Sequence, residues 1–326
     1  MKSLQFIFVL FLSQMVFSQV YKTSEPLAHT YSIVARDSVT GNIGVAVQSH
    51  WFSVGSVVTY GKAGVGVVAT QSFVNPSYGP KGLALMEQGL SPQQALDILL
   101  TNDKGEMFRQ VAFLNTKGNV ATHTGSSCIE AAGHRQGKNF SVQANMMLNN
   151  TVWDAMANAF ETTKGNLSNR MIAALKAAQG EKGDIRGSQS AAILIVKGEA
   201  TGNSWEDIVM DLRVEDNPNP VAELERLVNV QKAYDFMNNG DLAMEAGDSK
   251  KAEALYLSAQ KMFPDNLEMK YWYAINLLNN KEFDKAHPIL KDIFKQDENW
   301  KTLTSRIVKN KLLIISEEEL EKVMKL

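Results

Sequence analysis

The stretches YSIVAR (31–36) and IGVAV (43–47), joined by a turn at TGN (40–42), decide the fold of the front half of the chain. Both are short, apolar and rich in β-branched residues, which predicts two neighbouring strands. Similar runs at 56–60 and 65–70 predict two more strands. Several of the runs carry Val, Ile, Ala or Gly at successive positions, so both faces of these strands are apolar. This pattern predicts sheets that are buried on both sides.

Helices and further strands follow in blocks. Ser91 and Pro92 suit the N-cap and the first turn of a helix. The remaining elements are predicted as helices at 82–88, 92–100, 152–162 and 167–179, and as strands at 110–114, 120–124, 140–144, 191–196 and 208–214. Blocks of strands followed by paired helices indicate an α+β domain. We therefore expect two packed sheets with helices outside, a four-layer αββα sandwich.

The composition is that of a globular protein. The chain has 326 residues, of which 44% are hydrophobic and 21% charged, with a formal net charge of -2. This length allows about two domains. The balanced charge argues against extensive disorder and against a nucleic-acid partner, which needs a concentrated basic surface. One cysteine, five histidines without an HExxH motif, and no phosphate-binding glycine loop predict neither a metal nor a cofactor.

The first residues predict an export signal. Lys2 precedes an apolar run at 4–12, and Val16-Phe17-Ser18 offers a cleavage site. The apolar run is too short to span a bilayer comfortably, so no integral membrane span is expected. A buried N-terminal strand is the alternative interpretation. We expect a signal peptide at 1–18 and a secreted or periplasmic protein without a lipid anchor.

A second, helical domain is predicted at 229–326. This segment contains 31 charged residues among 98, whereas the front half is glycine-rich and sparsely charged. The pattern GDSKKA (247–252) returns 34 residues later as KEFDKA (281–286), and Pro264 follows a helix predicted over 249–262. This period is typical of tetratricopeptide repeats, with an unrelated pair of helical hairpins as the alternative. Two repeats seldom fold alone, so we expect them to dock on the first domain or on a protein partner.

A series of motifs across residues 29–228 resembles the DUF1028 family, a domain of unknown function placed in the N-terminal-nucleophile (Ntn) hydrolase superfamily. The motifs are TYSIVARD (30–37), GVGVVATQ (64–71), NPSYGP (75–80), HTG (123–125), AGH (132–134), SVQANM (141–146), QSAA (189–192) and DLRV (211–214). The resemblance implies an αββα Ntn-hydrolase-like domain at 29–228. It implies no settled substrate.

The resemblance also implies a catalytic role for Thr30. In Ntn hydrolases the residue at the start of a strand supplies the nucleophile, and its own α-amino group, with a pKa of about 8, accepts the proton. Signal cleavage before Gln19 leaves eleven residues ahead of Thr30. A second cut between His29 and Thr30 is therefore needed to free this amine. Without that cut, Thr30 is a structural residue of the strand.

Other residues are candidates for substrate binding. Asn75, Ser77 and Tyr78 offer an amide, two hydroxyls and backbone donors to a polar group or an oxyanion, although an ordinary capped turn would have the same composition. Uncharged amides stand at the ends of predicted strands, and we expect them to line a polar cleft: Gln71, Gln143, Asn145 and Gln189.

His123 and His134 flank a loop that contains Cys128. A cysteine next to a histidine can act as a nucleophile, but no third residue that would orient the histidine is evident. An inert, buried thiol is the better interpretation of Cys128. The two histidines remain candidates for substrate binding.

The leading interpretation is an exported Ntn-type amidohydrolase that acts on a small amide or peptide-like bond. The alternative is a non-catalytic module on the same scaffold that binds a small molecule or a protein. In a third interpretation the helical repeats carry the function and the front domain is a scaffold. We expect a monomer or a weak homodimer.

Overall fold

The computed structural model describes residues 27–326. The chain divides into two compact units, one ending at Val221 and the other comprising Ala222–Leu326. The predicted signal peptide at 1–18 lies outside the described residues. Among the helices that the structure describes, none is long and apolar enough to cross a membrane.

Eleven strands are described in the first unit. They are β1 Leu27–Ala28, β2 Thr30–Arg36, β3 Ile43–Ser49, β4 Thr59–Lys62, β5 Gly66–Phe73, β6 Arg109–Asn115, β7 Val120–Thr124, β8 Gly133–Gly137, β9 Phe140–Ala144, β10 Ser190–Val196 and β11 Ile208–Val214. Sheet A has the order β1-β5-β6-β7, with β4 also paired to β5, and sheet B has the order β11-β10-β3-β2-β9-β8. The pairings between these strands are antiparallel.

Helices cover the outer faces of both sheets. The helices of this unit are α1 Gly55–Val58, α2 Tyr78–Glu87, α3 Pro92–Thr101, α4 Val152–Thr162 and α5 Leu167–Gly180. Helices α2 and α3 contact sheet A, and α4 and α5 contact sheet B. The inner faces of the sheets pack through a buried aliphatic cluster that includes Val34, Val45, Val47, Val67, Ala112 and Leu114. The unit is thus a mixed α/β structure built on two antiparallel sheets.

Alternation along β2 sets the two faces of the central strand. Thr30, Ser32 and Val34 occupy alternate positions and face sheet A, because Val34 belongs to the cluster between the sheets and Ser32 bonds to a residue of β5. The intervening residues, beginning with Tyr31, face the helices. The first residue of β2 is therefore aimed into the space between the sheets.

The structure departs from the predicted elements at several places. In the run predicted as a strand at 56–60, residues 56–58 belong to a short helix, α1, and the last two residues begin β4. A Cβ atom added at Gly55 would lie 2.5 Å from the Cβ of Ala192, so the turn brings the backbone close to β10 and overrides the strand preference of the β-branched residues. Strand β8 is not predicted, since its sequence, GHRQG, lacks an apolar pattern. The helix predicted at 82–88 begins earlier, at Tyr78.

The second unit is entirely helical among its described elements. Its helices are α6 Pro220–Glu245, α7 Ser249–Met262, α8 Leu267–Asn279, α9 Phe283–Gln296, α10 Asn299–Ile307 and α11 Glu317–Met324, where α6 begins two residues before the unit boundary. Asp248 and Asn266 cap the N-termini of α7 and α8 with their side chains. A Cβ atom at Gly240 would lie 2.6 Å from the ring of Tyr256, so a glycine is needed where α6 and α7 meet. Helix α6 runs through residue 229, where the composition of the chain changes.

Candidate functional site

Thr30 lies at the start of β2 with no exposed surface. Its hydroxyl donates a hydrogen bond to the carbonyl oxygen of Ala28 at 2.8 Å. This bond turns the hydroxyl back toward the preceding chain, where the His29–Thr30 peptide bond lies. The two residues of β1 just before it pair with Ser72 and Phe73 of β5, so the chain crosses from sheet A to sheet B at His29.

Two side chains converge on the carbonyl oxygen of His29. The hydroxyl of Ser49, which lies opposite Thr30 on β3, donates to this oxygen at 2.5 Å, and Nη2 of Arg186 donates to it at 2.8 Å. The Arg186 guanidinium is held by the buried carboxylate of Asp184, with Nε 3.0 Å from Oδ1 and Nη2 2.7 Å from Oδ2. A negative charge that develops on the His29 oxygen would therefore meet one neutral and one cationic donor in fixed positions.

A network of uncharged amides surrounds the other side of Thr30. Backbone carbonyls of Gly133 and Ala144 accept from Nε2 of Gln110 at 3.2 and 2.9 Å, which fixes the orientation of the Gln110 amide. Its Oε1 atom then accepts from Gln71 Nε2 at 2.7 Å and from Asn145 Nδ2 at 2.9 Å. As a consequence, Oδ1 of Asn145 faces His29 as an acceptor.

The imidazole of His29 completes this network. Its Nδ1 atom lies 2.8 Å from Oδ1 of Asn145, so the orientation of Asn145 requires the proton on Nδ1. The ring packs edge-on against Phe73, with centroids 5.4 Å apart. Burial lowers the pKa of His29 below its ordinary value and outweighs the hydrogen bond to Asn145, which raises it, while the cation of Arg186 adds to the lowering. The ring is thus held as a neutral donor.

The network continues away from Thr30 along the inner faces of both sheets. The hydroxyl of Ser32 donates to Gln71 Oε1 at 2.6 Å and accepts from Gln143 Nε2 at 2.6 Å. The carbonyl of Thr30 accepts from the backbone N–H of Asn145 at 3.1 Å and from Gln71 Nε2 at 3.2 Å. Three of the amides predicted to line a polar cleft, Gln71, Gln143 and Asn145, therefore lie together beside Thr30.

The remaining predicted binding residues bond elsewhere. Asn75 accepts from the backbone N–H of Ser77 in a turn at 3.1 Å, and the hydroxyl of Tyr78 donates to Asp103 at 3.2 Å. Burial, aided by the Asp103 carboxylate, raises the pKa of Tyr78. Gln189 donates to Asp216 at 3.2 Å. None of these four side chains joins the hydrogen-bond network that the structure describes around Thr30, although the backbone N–H of Gln189 donates to the carbonyl oxygen of Ser49 at 3.1 Å.

The two histidines have different surroundings. His123 lies 2.9 Å from the backbone oxygen of Glu106 and 3.3 Å from its carboxylate. His134 touches the edge of the amide network, because its Nδ1 lies 2.9 Å from Oγ1 of Thr124, which also accepts from Gln110 at 3.0 Å. Burial lowers the pKa of His134.

Cys128 is bonded to the backbone and not to either histidine in the hydrogen bonds described. Its thiol donates to the carbonyl of Arg109 at 3.4 Å, and burial raises the pKa of the thiol. A raised pKa disfavours the thiolate, which is the nucleophilic form. The geometry thus favours an inert thiol.

The sequence analysis does not identify six side chains of this site: His29, Ser32, Ser49, Gln110, Asp184 and Arg186. Gln110 stands at the start of a predicted strand and repeats the signal that identified the other amides. Arg186 and Asp184 belong to a loop without a distinctive pattern, and only the folded chain brings them to His29. Residues 27–326 contain no group of three or more His, Cys, Asp or Glu side chains that could hold a metal ion.

Two different family models match the two parts of the chain. The model of the family described as "Family of unknown function (DUF1028)" matches residues 30–224, and a tetratricopeptide-repeat model matches residues 243–307. The latter confirms the tetratricopeptide interpretation of the helical region. No curated protein matches the sequence.

A solved structure supports the family assignment. The crystal structure of a Silicibacter pomeroyi protein, described as DUF1028, is 31% identical, with 63% of this chain and 89% of that chain covered and a TM-score of 0.56. The family match and this likeness point to the same family. The protein belongs to the DUF1028 family and carries a tetratricopeptide repeat region after the family domain.

Proposed function

We propose that the protein is an exported Ntn-type amidohydrolase in which Thr30 is the nucleophile and the layered first unit is an αββα Ntn-hydrolase-like sandwich. The substrate is a small amide or a peptide-like bond. The observation that carries this proposal is the pair of donors, Ser49 and Arg186, on the carbonyl oxygen that immediately precedes Thr30. Such donors suit the oxyanion of an acyl transfer to the Thr30 hydroxyl.

The first reaction is cleavage of the chain's own His29–Thr30 bond. The Thr30 hydroxyl oxygen attacks the His29 carbonyl carbon, the C–N bond breaks, and the hydroxyl proton ends on the freed Thr30 nitrogen. The product is an ester between the His29 acyl group and Thr30. Water then hydrolyses this ester, which leaves a His29 carboxylate and restores the Thr30 hydroxyl with a free α-amine.

The second reaction repeats this chemistry on a substrate. The free amine, whose ordinary pKa is about 8, takes the hydroxyl proton during attack and passes it to the leaving amine. Ser49 and Arg186 stabilise the oxyanion. The bonds from Asn145 and Gln71 to the Thr30 carbonyl hold the nucleophile in place without introducing another charge.

The amide network supports a positioning role for the surroundings of Thr30. Buried amides are costly unless their donors and acceptors are paired, and here each is oriented by the next through to the backbone carbonyls of Gly133 and Ala144. Such a network holds its members in one arrangement. It therefore provides a preorganised site for a neutral polar substrate.

Export and partner binding complete the proposal. A signal peptide at 1–18 would be removed first and leave Gln19–His29 as a short leader that the self-cleavage removes. The helical repeats provide a surface for a protein partner. We propose that the protein works without a metal or cofactor, as a monomer or a homodimer.

The mature N-terminus of exported protein tests the proposal. Intact-mass and N-terminal sequencing should place it at Thr30 in the wild type and ahead of His29 in the Thr30→Ala variant. A wild-type chain that retains His29 would contradict the proposed amidohydrolase activity. It would instead favour the non-catalytic binding module, since the Thr30 nitrogen would stay in a peptide bond.

A further inference from the structure

Leu27–His29 fills a place at the edge of sheet A that self-cleavage would vacate. Strand β6 pairs along one edge of β5 up to Ser72. On the other edge, β4 covers Gly66–Ala69, and β1 pairs with Ser72 and Phe73 beyond the end of β4. Loss of the segment would leave main-chain groups of β5 open, and another extended peptide can pair with such an edge.

The position of Ala28 is small and apolar. Ala28 has no exposed surface and belongs to the same buried cluster as Val54, Val58 and Val74. A methyl group fills this place between aliphatic side chains. A large or charged side chain here would have to displace packed residues, which is unfavourable.

The position of His29 suits a flat and uncharged hydrogen-bond donor. Oδ1 of Asn145 accepts from the ring, and the Phe73 ring packs against it edge-on. The amide network fixes Asn145 with its oxygen toward this position, so a carboxylate placed there would face another acceptor. The low pKa of His29 agrees with a place that holds the neutral imidazole.

The chemistry connects this segment to the substrate. The ester formed when Thr30 attacks the His29 carbonyl is the same kind of bond as the acyl-enzyme formed from a substrate. The place that holds the acyl group in the first reaction is then the acyl site of the second. The residues that precede the cleaved bond therefore indicate which acyl residues the substrate should carry.

We infer that the mature protein takes peptide-like amides whose acyl side is an extended segment with a small apolar residue followed by histidine, bound along the Ser72–Phe73 edge of β5 where Ala28 and His29 lie before cleavage. This inference rests on the proposed function. It adds to the proposed function the acyl residues that the site recognises.

Binding of short peptides to the protein that begins at Thr30 tests the inference. The probes are the tripeptide acids Leu-Ala-His, its reversed sequence His-Ala-Leu, Leu-Trp-His and Leu-Ala-Asp, measured by titration calorimetry. Leu-Ala-His should bind at least tenfold more tightly than each of the others. The Thr30→Ala chain, which keeps Leu27–His29 in place, should bind none of them.

Hydrolysis of the corresponding anilides separates this inference from the proposed function. Equal binding of the four peptides, no binding of any, or hydrolysis of other amides without preference for Leu-Ala-His would overturn the acyl-site assignment. Selective binding of Leu-Ala-His without hydrolysis would support the assigned binding site and count against the amidohydrolase.

Discussion

The space between the two sheets has two ends of opposite chemistry. Val34 belongs to an aliphatic cluster between the inner faces, whereas two and four residues earlier on the same face of β2, Ser32 and Thr30 join a network of amides and hydroxyls. Both ends are equally buried. An aliphatic contact would stabilise the fold with less desolvation cost, so stability alone does not explain the polar end. We infer that the polar end positions groups and that the apolar end stabilises the fold.

Replacing Thr30 with alanine should produce the largest effect on the polar end. We expect Thr30→Ala to abolish both self-cleavage and amide hydrolysis, because no hydroxyl remains, while Thr30→Ser retains part of each. The fold should persist, since within residues 27–326 the Thr30 side chain makes one hydrogen bond, to Ala28. Intact mass, an amidase assay and circular dichroism measure the three quantities. Cleavage in Thr30→Ala would show that a residue other than Thr30 is the nucleophile.

Removing the neutral oxyanion donor should slow the reaction without stopping it. Ser49→Ala should reduce the cleavage rate about a hundredfold to a thousandfold, the usual effect of losing one such donor. Ser190→Ala is the matched control, because Ser190 lies opposite Ser49 on β10 and its hydroxyl donates to the Trp51 carbonyl instead. Equal rates for the two variants would show that Ser49 does not act on the His29 carbonyl.

A substitution at the apolar end should change stability and leave the chemistry alone. Leu114→Ala removes a fully buried side chain from the cluster between the sheets. We expect it to lower the free energy of unfolding by about 2–5 kcal/mol, from lost burial and the cavity left behind. The cleavage rate at a temperature where the variant is folded should match the wild type. A rate loss as large as that of Ser49→Ala would remove the distinction between the two ends.

The smallest effect concerns the pH dependence of the uncleaved chain. Burial lowers the pKa of His29 in the folded state, so the unfolded state binds a proton more readily and the free energy of unfolding falls as pH drops below about 6.5. We expect a slope of at most about 1.4 kcal/mol per pH unit from this group. Urea unfolding of Thr30→Ala between pH 7 and 5 should show it. In the double variant Thr30→Ala/His29→Gln, the free energy of unfolding should depend less on pH. His134 is present in both variants, so it does not account for the difference between them.

Sequence reasoning reached the strands and the repeats because their signals are local. Alternation and apolar runs predict β2 and β3, and the 34-residue period predicts α7. It also reached Gln71, Gln143 and Asn145, since uncharged amides at strand ends are unusual among apolar runs. Arg186 could not be predicted, because its role depends on a loop that approaches His29 from 157 residues away.

The place of Asn75, Ser77 and Tyr78 shows the limit of motif reasoning. Their composition suits an oxyanion site, yet the structure uses Asn75 to shape a turn and Tyr78 to bond Asp103. A turn and a binding loop require the same residue types. Only the path of β1 into β2 shows which carbonyl is surrounded by donors.

The time course of His29–Thr30 cleavage in purified, uncleaved protein tests directly whether the chain cleaves itself at this bond. Intact-mass spectrometry would follow it at two protein concentrations that differ tenfold. We expect first-order release of the segment that ends at His29, at a rate independent of concentration and greatly reduced in Ser49→Ala. A chain that stays intact, or a rate that rises with concentration or with an added protease, would contradict self-cleavage by Thr30.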